Sequence, residues 1–83
     1  MTKEQYKEYN ALYVGVWDLF KVYAVAADRA DDAFWERYVN EEYELYKKHG
    51  FTPLAKSLLI ASRKEVERLC RKEKTRNETS DKR

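Results

Sequence analysis

The sequence predicts an all-α fold, a small three-helix antiparallel bundle, and three observations carry the prediction. Only two glycines and one proline interrupt 83 residues, so the chain has few breakers. No stretch sustains the period-two alternation of a half-buried strand. Apolar residues instead recur three and four apart over long runs, the spacing of one face of a helix. A chain of this length makes one domain, with residues 1–75 helical and 76–83 a polar tail. It buries only about 60–65% of the surface it exposes unfolded, which leaves the core little margin.

The first helix is expected over 2–27. Thr2 followed by Gln5 fits a capping box, in which hydroxyl and side-chain amide satisfy backbone N–H groups at the helix start. Tyr6, Tyr9, Tyr13, Val16, Phe20, Tyr23 and Ala27 recur at spacings of three and four, and Leu12, Trp17 and Leu19 widen that stripe. A helix apolar around most of its circumference is wrapped by other helices or by a second copy of the chain. The polar face is a narrow strip of Lys3, Lys7, Asn10, Asp18 and Lys21, interrupted by Val14 and Val25. Gly15 sits mid-helix at a cost of about 1 kcal/mol against alanine. Either it is tolerated there or another helix approaches closely at that point.

Asp28-Arg29-Ala30-Asp31-Asp32 is the first break. Asp28 or Asp31 is a suitable cap, and acidic residues suit the positive end of a helix dipole. No glycine or proline marks this boundary, so a continuous helix is the alternative. The second helix is expected over 31–49, with Trp35, Val39, Tyr43 and Tyr46 as its stripe and Tyr38 and Leu45 beside it. His49-Gly50-Phe51-Thr52-Pro53 then reads as stop and start. Gly50 closes one helix in the left-handed conformation, Thr52 caps the next, and Pro53 suits its first turn. Phe51 is expected to plug the end of the core. The third helix is expected over 53–74, burying Ala55, Leu58, Leu59, Ser62, Val66 and Leu69 with Cys70 at the edge.

Composition narrows the function classes. Charged residues are 39% of the chain, yet the net charge is only +2, which suits a soluble cytoplasmic protein and gives no overall nucleic-acid signature. A lone cysteine forms no internal disulfide. The opening Met-Thr-Lys-Glu-Gln-Tyr-Lys-Glu has no apolar run of the signal-peptide type. Ala11–Ala27 holds Asp18 and Lys21 and falls short of the roughly 20 apolar residues a membrane span needs.

No enzyme, metal or cofactor is indicated. His49 stands alone at a helix end, where meeting free carbonyls is its ordinary role. Cys70 reads as a small apolar filler, although Arg68 and Arg71 beside it are of the kind that lowers a thiol pKa. A nucleophile needs a base and an orienting partner, and zinc needs several Cys or His ligands. Neither set is present in the sequence.

Charge and aromatic content carry the functional expectation. From Asp28 to Glu44 there are seven acidic and two basic residues, and from Arg63 to Arg76 seven basic and three acidic. The chain also holds three Phe, two Trp and seven Tyr, more aromatic surface than a small bundle hides. Tyrosine is enriched at interfaces because its apolar body ends in a polar tip. The first reading is therefore a non-enzymatic protein-protein interaction module or small regulator. It self-associates as a homodimer through the first helix, with Tyr6, Tyr9, Tyr13 and Trp17 at the interface. Small size without catalytic residues also fits an accessory protein of a phage or mobile element that binds a host protein. The alternative is nucleic-acid binding through Arg63, Lys64, Arg68, Arg71, Lys72, Lys74 and Arg76. The second and third helices superficially match a helix-turn-helix, but the first turns of the third, Pro53 to Leu59, hold core residues rather than a base-reading set.

Overall fold

Three capping side chains divide the chain. The computed structural model describes residues 1–79, with side chains described through Arg71. Helix α1 spans Lys3–Val25, α2 spans Asp32–Lys48 and α3 spans Pro53–Thr79, with a 3-10 turn at Ala27–Arg29 between the first two. The expected all-α bundle of three helices forms, and no strand occurs among the described residues. Thr2 and Gln5 make the capping box in both directions: the Gln5 N–H donates to Thr2 Oγ1 at 3.1 Å, and the Thr2 N–H donates to Gln5 Oε1 at 2.8 Å. Asp31, not Asp28, caps α2, accepting from the Phe34 N–H at 2.8 Å. Thr52 caps α3 through the Ala55 N–H at 3.3 Å.

The close of α2 is a Schellman motif. Gly50, at φ 74°, donates to the Lys47 carbonyl at 3.0 Å, and Phe51 donates to that of Tyr46 at 3.0 Å. Phe51 does not plug the core, contrary to expectation. It too is left-handed, at φ 57°, so the chain turns its ring outward. The ring stands edge-on to Tyr46, with centroids 4.9 Å apart, and remains half exposed.

Short connections make successive helices antiparallel, so α1 and α3 run parallel. At one end Leu12 and Val16 pack with Ala55 and Leu59, joined by Leu45 and Tyr46 near the end of α2. At the other end Tyr23 packs with Phe34, Tyr38 and Val66. That second cluster is aromatic: Tyr23 and Tyr38 stack at 4.4 Å with ring planes 6° apart, and Phe34 meets Tyr23 edge-on at 5.1 Å. Such pairs add about 0.5–1.5 kcal/mol beyond the area they bury. Gly15 marks a close approach of α2 to α1, because a Cβ there would lie 3.0 Å from Leu45 Cδ1.

Two stripes differ from expectation. In α1 the buried line is Leu12, Val16, Tyr23 and, in the turn that follows, Ala27, with Leu19 packed against it. Tyr6, Tyr9, Tyr13 and Trp17 are exposed. The first eleven residues are all exposed, since α1 begins well before the level at which α3 joins it. In α2 the buried line is Phe34, Tyr38 and Glu42, with Leu45 following, whereas Val39 and Tyr43 are exposed. A charged residue at the third buried position conceals this line in the sequence and makes the neighbouring apolar one look dominant. Helix α3 buries the expected Ala55, Leu59 and Val66, with Cys70 packed at the edge of the second cluster. It continues to Thr79 rather than ending near 74, because no glycine or proline lies between Cys70 and Thr79. The tail expected over 76–83 is thus helical as far as Thr79, and its last four residues lie outside the described residues.

Candidate interaction surface

The uncovered aromatic side of α1 is built by helix periodicity alone. Tyr6, Tyr9, Tyr13 and Trp17 follow one another at spacings of three, four and four, so they stand in one row. They lie beside the line that meets α2 and α3, Tyr9 in line with Val16 but before the level at which α3 joins, and are 44 to 65% exposed. The Trp17 indole leans on Phe20 with ring centroids 6.0 Å apart, which ties the row to the half-buried edge of the core. All four residues expected at an interface therefore lie together on one open face. Val14 beside them is also exposed.

The basic candidates are not brought together in the same way. Arg63 turns toward α2, where its Nη1 lies 3.3 Å from Glu42 Oε1. Arg68 is held by Glu65 one turn earlier in α3, with Nε 3.0 and 3.1 Å from the two carboxylate oxygens and Nη2 on Oε2 as well. That contact raises the Arg68 pKa. Lys64 and Arg71 are exposed. The side chains of Lys72, Lys74 and Arg76 lie outside the described residues.

A buried polar cluster under α2 escaped sequence reasoning. Glu42 is 8% exposed, and burial raises its carboxyl above the usual range while Arg63 opposes the shift. Its Oε2 and the Tyr38 hydroxyl are buried without a hydrogen-bond partner among the described residues. Burial, reinforced by the Glu42 charge, also pushes the Tyr38 phenol up. The Tyr23 hydroxyl donates to Glu41, and its pKa is raised first by burial and then by that carboxylate. The signal available was the spacing of Phe34, Tyr38, Glu42 and Leu45, which is a core spacing with one acidic member.

The His49 imidazole turns toward α1, with Nε2 3.9 Å from the place a Gly15 Cβ would take. Among the described residues no three His, Cys, Asp or Glu side chains converge to hold a metal. No helix of the described residues is long and apolar enough to cross a membrane. No protein-family model, curated protein or solved structure matches the chain.

Proposed function

We propose that this chain is a non-enzymatic interaction module that pairs with a second copy of itself through the aromatic row of α1, acting in the cytoplasm as a small regulator or accessory protein. The observation that carries the reading is the exposure of Tyr6, Tyr9, Tyr13 and Trp17 on one face. Aromatic side chains carry roughly 150–250 Å² each, so at this exposure one copy presents on the order of 400 Å² of ring surface. Two copies face to face bury about twice that, about 800 Å², short of the ~1,000 Å² of stable specific interfaces and in the range of weak, transient ones. A patch of this size suits a weak, transient pairing rather than an obligate one. Nucleic-acid binding has less support, because Arg63 turns toward Glu42 of α2 rather than lining up with the other basic side chains.

Sedimentation equilibrium tests the reading. The wild-type chain should move from monomer to dimer across the micromolar range. The Tyr13→Ser, Trp17→Ser double variant should stay monomeric with unchanged helical circular dichroism, since both side chains lie outside the core. A wild-type chain that is monomeric at high micromolar concentration would overturn self-association.

A further inference from the structure

On the side of α1 away from the aromatic row, α1 and α2 enclose an open trough of about 500 Å³, within the size range of ligand sites. Its floor is apolar: Gly15, Leu19 and Leu45, with Val22 on the α1 wall. Val22 is 58% exposed, and the missing side chain of Gly15 keeps the floor low. Carboxylates stand on both walls, Asp18 on α1 and Glu41 and Glu44 on α2, against the single ammonium of Lys48. Asp18 pairs with Lys21 at 3.3 Å, but both are more than half exposed, so the pair is worth little and exchanges readily. Glu41 keeps an acceptor site beyond its Tyr23 contact, since a carboxylate accepts several hydrogen bonds.

From this geometry we infer that the α1–α2 trough is a docking site for a basic amphipathic helix of another protein. Gly15 to Val22 is two helical turns, about 10 Å, so the trough seats two turns of a partner helix lying along it. An apolar floor between two acidic walls is complementary to an apolar stripe flanked by Lys or Arg, and to no anionic or uncharged helix equally well. The trough is open to solvent, which favours a helix over a small molecule, because small ligands require enclosure on most sides. The site is separate from the aromatic row.

The test uses a fluorescein-labelled helical peptide of about 14 residues, leucine on one face and lysine on the rest, titrated with the intact chain and read by anisotropy. The same peptide with glutamate in place of lysine is the control. The lysine peptide should bind at low salt and weaken as salt rises, and the glutamate peptide should not bind. Val22→Asn and Glu44→Lys should each weaken binding about tenfold, roughly 1.4 kcal/mol. Glu36→Lys makes the same charge change on α2 outside the trough and should leave binding within about twofold. All three side chains are exposed, and circular dichroism confirms that each variant folds. Absent binding, equal losses from Glu36→Lys and Glu44→Lys, or no effect of Val22→Asn would each overturn the proposal. So would a shift of the monomer–dimer midpoint by the trough variants, because a second copy would then be the occupant.

Discussion

Glu42 is the residue at which packing and charge conflict most sharply. Its position in α2 follows Phe34 and Tyr38 at intervals of four, so the helix carries it into the core whatever its chemistry. Burial of a carboxylate costs several kcal/mol unless it is paired, and Arg63 supplies an ion pair at 3.3 Å. Burial still wins over the pair, because the carboxyl pKa is raised above 4.5. A carboxyl that holds its proton more tightly when folded gives stability that is complete below the unfolded pKa and is lost as pH rises through the folded one. Glu42→Gln removes that titration, so its stability relative to wild type should improve as pH rises from about 4.5, the unfolded value, through the raised folded one. Arg63→Met should do the opposite. It strands a buried carboxylate, costs about 1–3 kcal/mol at pH 7, and costs less at pH 4. Urea unfolding of the three proteins at both pH values checks the pair of signs. A Glu42→Gln difference independent of pH would mean the carboxyl is solvated in solution.

Within the helices, α1 and α2 meet most closely at Gly15 and Leu45. An alanine Cβ at Gly15 would sit 3.0 Å from Leu45 Cδ1, a contact relieved by a few tenths of an ångström. Leu45 is only half buried and borders the open trough, so its methyl has room to move. The helix-propensity gain of about 1 kcal/mol should therefore outweigh the crowding. Gly15→Ala is expected to raise Tm by a few degrees, since about 1 kcal/mol moves a domain of this size by roughly 4–8 °C. A lower Tm would mean that Leu45 is pinned. The same elements show what was legible in the sequence. Local chemistry was: Thr2 with Gln5, Asp31, Thr52 with Pro53 and the Gly50 stop all act within one turn of where they stand. The α3 stripe was legible because its flanks are polar. The α2 stripe was not, because Val39 and Tyr43 offer a better apolar row than the buried one that includes Glu42. In α1 Tyr6 to Trp17 were legible as aromatic surface, but only the level at which α3 joins decides which rows are covered. The Arg63–Glu42 pair and the α1–α2 trough depend on how two helices face each other, which periodicity within either one does not encode.

At the scale of the whole molecule, the stagger of the parallel pair α1 and α3 sets the shape. The longest dimension is 54 Å, whereas α3, with 27 residues, is about 40 Å long. Leu12 meets the α3 cluster at Ala55 and Leu59, only a turn or two into that helix, so α1 projects beyond the bundle by its first two turns. Those turns hold Tyr6 and Tyr9, and nothing among the described residues covers them. A projecting helix that buries nothing adds little to folding stability, so its aromatic side chains are free to serve contact with a second copy. Deleting Thr2–Tyr9 separates the two roles. The shortened α1 would start at Asn10, itself a favoured cap residue, and would keep Leu12, Val16, Leu19 and Tyr23 in place. Its stability, measured by urea unfolding at a concentration where the wild type is monomeric, should fall by no more than about 1 kcal/mol, the value of a lost cap. Its dimer should weaken beyond detection at high micromolar concentration, because half of the aromatic row is gone. A truncated chain that dimerises as well as the full one would place the contact elsewhere. A chain that no longer folds would show that the projecting turns pack on something this bundle leaves open.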